Sequence, residues 1–280
     1  MQYLVNGIVV GCIVVLGSTG FTTLYALLGF PNLAYGEIML LGAYVTLTIN
    51  SLGVPVYAAL LLAIPVTCIA AVGVDRLVFK RLRQANLSTL IMASFGVSLF
   101  LRSLIRVVWG TGVHLFAVGP TPQLTLPIGA VITIPQLFIV AYTGIAVALL
   151  FLFRKKTRLG KATRAVADNT TLALVAGIDT ERIVLWNLAI GGVLAASGGV
   201  FLGIDSSLNP LQGWRLLLPV YAATIFGRVG SMSGALFGGL LLGLAQELSA
   251  IYLSTEYKPG IALLAIIIAI FIRFRLFRKG

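Results

Sequence analysis

Apolar residues along the chain gather into nine long runs, approximately 4–28, 36–52, 54–74, 87–109, 136–153, 183–204, 215–228, 231–253 and 259–272. A membrane-spanning helix needs about 20 mainly apolar residues. The pattern therefore predicts an all-α polytopic membrane protein of about 8–9 transmembrane helices, in one transmembrane domain over residues 1–280. The seventh run is short, which makes it re-entrant or tilted and sets the count between eight and nine. Between the first two runs stand Gly29, Pro31 and Gly36, flanked by Asn32 and Glu37. Proline removes an amide donor and glycine loosens the backbone, so a broken helix is expected near residues 29–37.

Composition agrees with that reading. Hydrophobic residues are 59% of the 280 and charged residues 10%, against roughly 45–50% and 25% in soluble domains. Mean hydropathy is +1.05. A soluble globule, a disordered chain and a disulfide-stapled module are excluded. The net charge of +12 would suit a polyanion, but its placement argues against nucleic acid. Asp75 to Arg83, Arg154 to Arg182, Arg228 and Arg273 to Lys279 hold sixteen of the twenty basic residues. All lie in short gaps or at the end of the chain, as cytoplasmic loops do. Gly110 to Pro135 then falls outside, where Pro120, Pro122, Pro127 and Pro135 predict an extended cover. Asp205 to Trp214 and Ser254 to Pro259 fall outside too. The N-terminus has no basic region, so no cleaved signal is expected.

Few residues carry chemistry. Cys12 and Cys68 lie in apolar runs and read as packing residues, and His114 has no evident partner. No metal site and no cofactor site follow from this set. There is no Walker A loop, no HExxH and no GxSxG. Arg102 and Arg106, four residues apart, share a helix face near the outer end and read as snorkelling or as a structural pair. Glu247 lies within the eighth run, either functional or snorkelling. The break at Asn32, Tyr35, Gly36 and Glu37 is either a substrate site of the interrupted-helix kind or a plain cytoplasmic turn. Small residues at four-residue spacing, Gly230, Gly234 and Gly238, Gly239 and Gly243, and Ala195, Gly199 and Gly203, read first as helix-packing stripes. The cytoplasmic stretch 154–182 is rich in alanine. It predicts a short helix over Lys161 to Val175 with Gly177 as its stop, lying under the bundle and wanting a protein partner.

These residues resemble a family. Asn32-Leu33-Ala34-Tyr35-Gly36-Glu37 followed by Gly42-Ala43-Tyr44 is similar to an element of the LivH-type permeases of branched-chain amino-acid ABC importers. Leu159-Gly160-x-Ala162-x-Arg164-Ala165 and Gly177-Ile178-Asp179 resemble that family's loop facing the ATPase. Asn209-Pro210-x-x-Gly213, Gly227-x-x-Gly230-Ser231 and Glu247 ahead of Tyr252-Leu253-Ser254 fit its later elements. Tyr35 stands where the family usually has His, and Arg228 interrupts a usual Gly-Gly pair. The resemblance implies a multi-pass permease of a prokaryotic plasma membrane that is itself no enzyme. Its cargo would be branched-chain or other small neutral amino acids, with urea or short amides as an alternative. A self-sufficient secondary transporter and an intramembrane enzyme are the rivals outside that family. The implied partners are a second related permease, two ATP-binding cassette subunits, an extracytoplasmic substrate-binding protein and membrane lipid. Asn32, Tyr35, Gly36, Glu37 and Glu247 would lie on the substrate pathway. Gly160, Arg164, Asp168 and Gly177 would belong to the ATPase-coupling segment.

Overall fold

The structure, a computed structural model, describes residues 1–119, 122–125, 130–251 and 258–277, with the backbone alone for Pro259 and 269–277. Pro120, Pro127, Tyr252 to Tyr257, Arg278 and Lys279 of the motifs above lie outside the described residues.

The helices are α1 (Gln2–Leu28), α2 (Tyr35–Ser51), α3 (Val56–Val74), α4 (Lys80–Leu82), α5 (Leu87–Trp109), α6 (Ile134–Lys156), α7 (Arg158–Asp168), α8 (Thr170–Val175), α9 (Thr180–Asp205), α10 (Gln212–Phe226), α11 (Met232–Ser249) and α12 (Lys258–Phe277). Among the described residues, five segments are long and apolar enough to cross a bilayer: Gln2–Leu28, Val56–Leu82, Leu87–Trp109, Ile134–Lys156 and Thr180–Asp205. The chain is a multi-pass, all-α membrane protein. The span Val56–Leu82 runs on past Val74 through a π-helical turn at Asp75–Phe79, so the first basic stretch begins inside a helix rather than in a gap. Asp75 there is buried and accepts from Arg83 at 2.9 Å.

Two sets of contacts define the ends of the bundle. Lys80 and Glu181 meet at 2.6 Å, and Arg154 reaches Thr23 at 3.4 Å. This gathers the first two basic stretches at one end, the end that the bias of Lys and Arg toward inner loops assigns to the cytoplasm. At the other end Gln2 bonds both backbone groups of Val131 at 2.9 Å, and Trp109 donates to Thr48 at 2.7 Å. The outer cover is more ordered than its prolines suggest. Gln123–Thr125 (β1) and Val131–Thr133 (β2) pair antiparallel. His114 is not without partners: its backbone pairs with Leu208 at 2.8 Å and its Nε2 lies 3.0 Å from the Trp109 carbonyl.

α1 and α9 form the buried centre of the bundle. The glycine stripes pack helices. A Cβ on Gly243 would strike the backbone of Gly11 and Gly7, one on Gly199 the Met39 carbonyl, and one on Gly234 the backbone of Gly227. Association in lipid depends on such close backbone approach. Arg228 has a left-handed φ of 70°, a conformation that costs a side chain about 1–2 kcal/mol. That accounts for the glycines expected at this point.

Candidate functional site

α1 ends at Leu28 because Gly29 turns left-handed, φ 74°, and donates back to the Tyr25 carbonyl at 2.9 Å. Pro31 cannot continue a helix ladder. The Asn32 side chain then accepts from Ala34 N–H at 3.0 Å and its carbonyl from Tyr35 N–H at 3.2 Å. This turn starts α2. Its outer neighbours are supplied by one stripe of α5, Ser94, Ser98 and Arg102, spaced four apart. Ser94 accepts from Leu33 N–H at 3.2 Å. Ser98 lies 3.5 Å from Glu37 Oε1, and Arg102 donates to the same oxygen through Nε at 3.0 Å and Nη2 at 2.5 Å.

Glu37 is wholly buried, and its Oε2 has no hydrogen-bond partner among the described residues. That oxygen lies against Gly213 in the first turn of α10, where a Cβ would come within 2.7 Å of it. Gly36 backs onto the Gly213 carbonyl with equally little room. Trp214 completes the arrangement, with the Arg102 guanidinium 5.5 Å over its ring. Glu37 is eleven residues below Thr48, which meets the outer end of α5. At 1.5 Å per residue this is about 16 Å, half of a hydrocarbon layer of about 30 Å. A neutralised acid–base pair thus sits near mid-membrane, at a junction of α2, α5 and the start of α10. The short seventh run is short because α10 begins at this depth.

The other candidates divide. Tyr35 is buried, and its hydroxyl donates to the Gly191 carbonyl at 3.2 Å, bolting α2 to α9. Arg102 does not snorkel; its partner is Glu37 in the same chain. Glu247 is half a bilayer away. It packs beside Gly7 of α1 and pairs with Lys258, whereas Tyr35 packs beside Gly20, thirteen residues or about 20 Å further along α1. Sequence reasoning misses Ser98 and Trp214, and it names Arg102 and Gly213 without joining them to Glu37. The serine–serine–arginine stripe of α5 is the signal that could have found the site.

On the cytoplasmic side the expected single helix is two. Asn169 ends α7 and caps α8 through Leu172 N–H at 2.9 Å. Gly160, Thr163 and Val166 form the buried face of α7. Gly160 lies against the Phe153 carbonyl and Arg154 backbone. Val166 packs with Leu27 and Ile183, and Thr163 accepts from Asn187 at 3.0 Å. Arg164 and Gly177, which turns left-handed at φ 78°, are exposed, and Asp168 stands at the exposed end of α7. Leu172, Leu174 and Val175 are exposed as well, the last at 82%.

The family described as branched-chain amino acid transport system / permease component matches residues 3–270. The chain belongs to that family. Its similarity extends to the high-affinity branched-chain amino acid transport system permease protein LivH of Escherichia coli strain K12, 30% identical over 97% of this chain and 93% of LivH. The corresponding protein BraD of Pseudomonas aeruginosa is 28% identical over 98% and 94%. A more distant relative is the fructose import permease protein FruF of Bifidobacterium longum, 26% identical over 90% of this chain and 71% of its own. The solved structure of PsaBC from Streptococcus pneumoniae in complex with Fab shares the fold, with TM-score 0.53 at 13% identity over 96% of this chain and 91% of that one. Members of this permease family carry no catalytic site of their own, and the chain is a plasma-membrane transport subunit.

Proposed function

We propose that this permease imports branched-chain or other small neutral amino acids by alternating access, driven by two separate ATP-binding cassette subunits. A second related permease completes the membrane core, and an extracytoplasmic binding protein delivers cargo. The observation that carries the reading is similarity to LivH along nearly the whole chain. FruF and its sugar are further off. A secondary transporter needs a free ion-coupling acid at mid-membrane, and Glu37 is already neutralised by Arg102.

The cytoplasmic geometry supports coupling. α8 presents three exposed aliphatic side chains to the cytoplasm, which suits a groove on an ATPase. α7 is keyed into the inner ends of α1 and α9, so a push on α8 reaches the last turn of α1. The Gly29–Ala34 link follows directly, and the Glu37–Arg102 junction after it. We assign Asn32, Tyr35, Gly36 and Glu37 to this gate, with Asn32 and Tyr35 shaping it and Glu37 latching it. Glu247 belongs to the outer mouth.

A tagged pull-down from native membranes tests the assembly: two ATP-binding subunits and a second permease are expected. Leu172→Asp with Val175→Asp should abolish ATPase co-purification while leaving the permease pair intact. Recovery of the chain alone would sink the reading. Unchanged uptake in Glu37→Gln and Asn32→Ala would remove the gate while leaving the importer standing.

A further inference from the structure

A cavity of about 770 Å³ lies among α1, α9, α10, α11 and α12, within the roughly 300–1,000 Å³ typical of small-molecule sites. Its polar lining is Gln212, Arg215, Gln246 and Lys258. Its apolar wall includes Ile13, Val14, Leu216 and Pro219. The polar groups are ordered by depth. Gln246 and Lys258 mark the outer ends of α11 and α12. Arg215 is two residues beyond Gly213, which abuts Glu37, and Ile13 lies about 17 Å below the start of α1. The cavity thus runs from the outer surface to the middle of the membrane.

Arg215 is the unusual member. Of the other cations in the outer half, Arg102 has Glu37 and Lys258 has Glu247, while Arg106 is exposed one turn above Arg102, outside this cavity. Among the described residues Arg215 has none, although it is exposed at mid-membrane depth. A charge at that depth is costly against lipid and marks a wet pathway or a ligand. A second feature adds the opposite polarity. Pro219 lies inside α10 and has no N–H to give the carbonyl of Arg215, four residues earlier. The guanidinium's residue and the proline that leaves its carbonyl without the usual N–H both line this cavity, beside an aliphatic wall.

We propose that Arg215 anchors a zwitterionic aliphatic amino acid in this outward-facing cavity. Its guanidinium takes the α-carboxylate as a two-pronged pair. Its own carbonyl oxygen accepts from the α-ammonium. Ile13, Val14, Leu216 and Pro219 receive the side chain. The inference rests on the amino-acid importer reading and adds a site to it.

The test uses the importer complex, purified through a tag on this chain, in nanodiscs and without its binding protein. Saturation-transfer NMR reads contact with L-leucine, with 4-methylpentanoate, which lacks the ammonium, and with 3-methylbutylamine, which lacks the carboxylate. L-leucine should give the strongest transfer and the amine essentially none. Arg215→Gln should weaken leucine binding by up to about a hundred-fold, the upper end of what loss of hydrogen bonds to a charged group costs. Arg215→Lys should recover part of it, in complexes that elute intact. Uptake of leucine by the unaltered complex is measured in parallel. If that uptake is present and Arg215→Gln binds leucine as well as the parent, the anchor is wrong and the importer reading stands. Equal binding of leucine and the amine would also overturn the anchor. Bound anionic phospholipid that leucine does not displace, lost in Arg215→Gln by native mass spectrometry, would assign the cavity to a headgroup. No uptake of any amino acid would overturn both.

Discussion

The Glu37–Arg102 pair invites a double-substitution cycle, because its burial fixes what each step costs. Arg102→Leu leaves a carboxylate with 1% side-chain exposure. Its Oε1 loses both guanidinium bonds, and its Oε2 already has no hydrogen-bond partner among the described residues. Breaking a buried pair from one side costs about 3–5 kcal/mol. Glu37→Leu leaves Arg102, 13% exposed and stacked on Trp214. That should cost somewhat less, about 2–3 kcal/mol, since the guanidinium keeps a cation–π partner and a path to water. Replacing both with leucine removes both stranded charges, and such replacements are often near neutral. The double variant should therefore be more stable than either single one, with a coupling energy of about 3 kcal/mol or more. The assay is reversible unfolding in mixed micelles of all four forms, followed by helix content. If the single effects add within about 0.5 kcal/mol, the two groups do not sense each other, and the mid-membrane latch does not exist.

Two other outcomes follow from backbone geometry. Arg228→Gly should stabilise the chain by about 1 kcal/mol in the same assay, because the left-handed φ no longer meets a Cβ. Gly36→Ala should destabilise by about 1–3 kcal/mol by driving α2 off the Gly213 carbonyl, whereas Gly73→Ala, with open space around it, should be neutral or stabilising by up to about 1 kcal/mol. Equal effects at the two glycines would show that the α2–α10 contact carries no weight.

How much of this is legible in the sequence differs from element to element. Runs such as 87–109 coincide with their helices because lipid demands uninterrupted apolar length, and length is visible in a string of letters. The break after Leu28 is visible because Gly29 and Pro31 act locally. The extension of α3 to Leu82 is not. Asp75 and Arg83 look like loop charges until a π turn brings them together. For the same reason Arg102 is left between snorkelling and a structural pair, and its partner is not named. Its partner is 65 positions away, and only the packing of α2 on α5 brings Glu37 to it. Asn169 dividing α7 from α8 is a capping effect that an alanine-rich composition conceals. Arg215 sits beside an outer loop in sequence, and its depth follows from where α10 begins.

The tightest helix contacts of this bundle are made by what is missing. Gly243 touches the backbone of Gly11 and Gly7, Gly234 that of Gly227, and Gly36 that of Gly213. A contact between two backbones reads almost none of the chemistry of the surrounding side chains. It demands only that one or two positions stay empty, and it leaves the lipid-facing remainder of each helix free to exchange one aliphatic residue for another. The information that specifies such a frame is concentrated in a few letters. Two chains can then drift far apart in spelling and still assemble the same scaffold, as this one and PsaBC do at 13% identity.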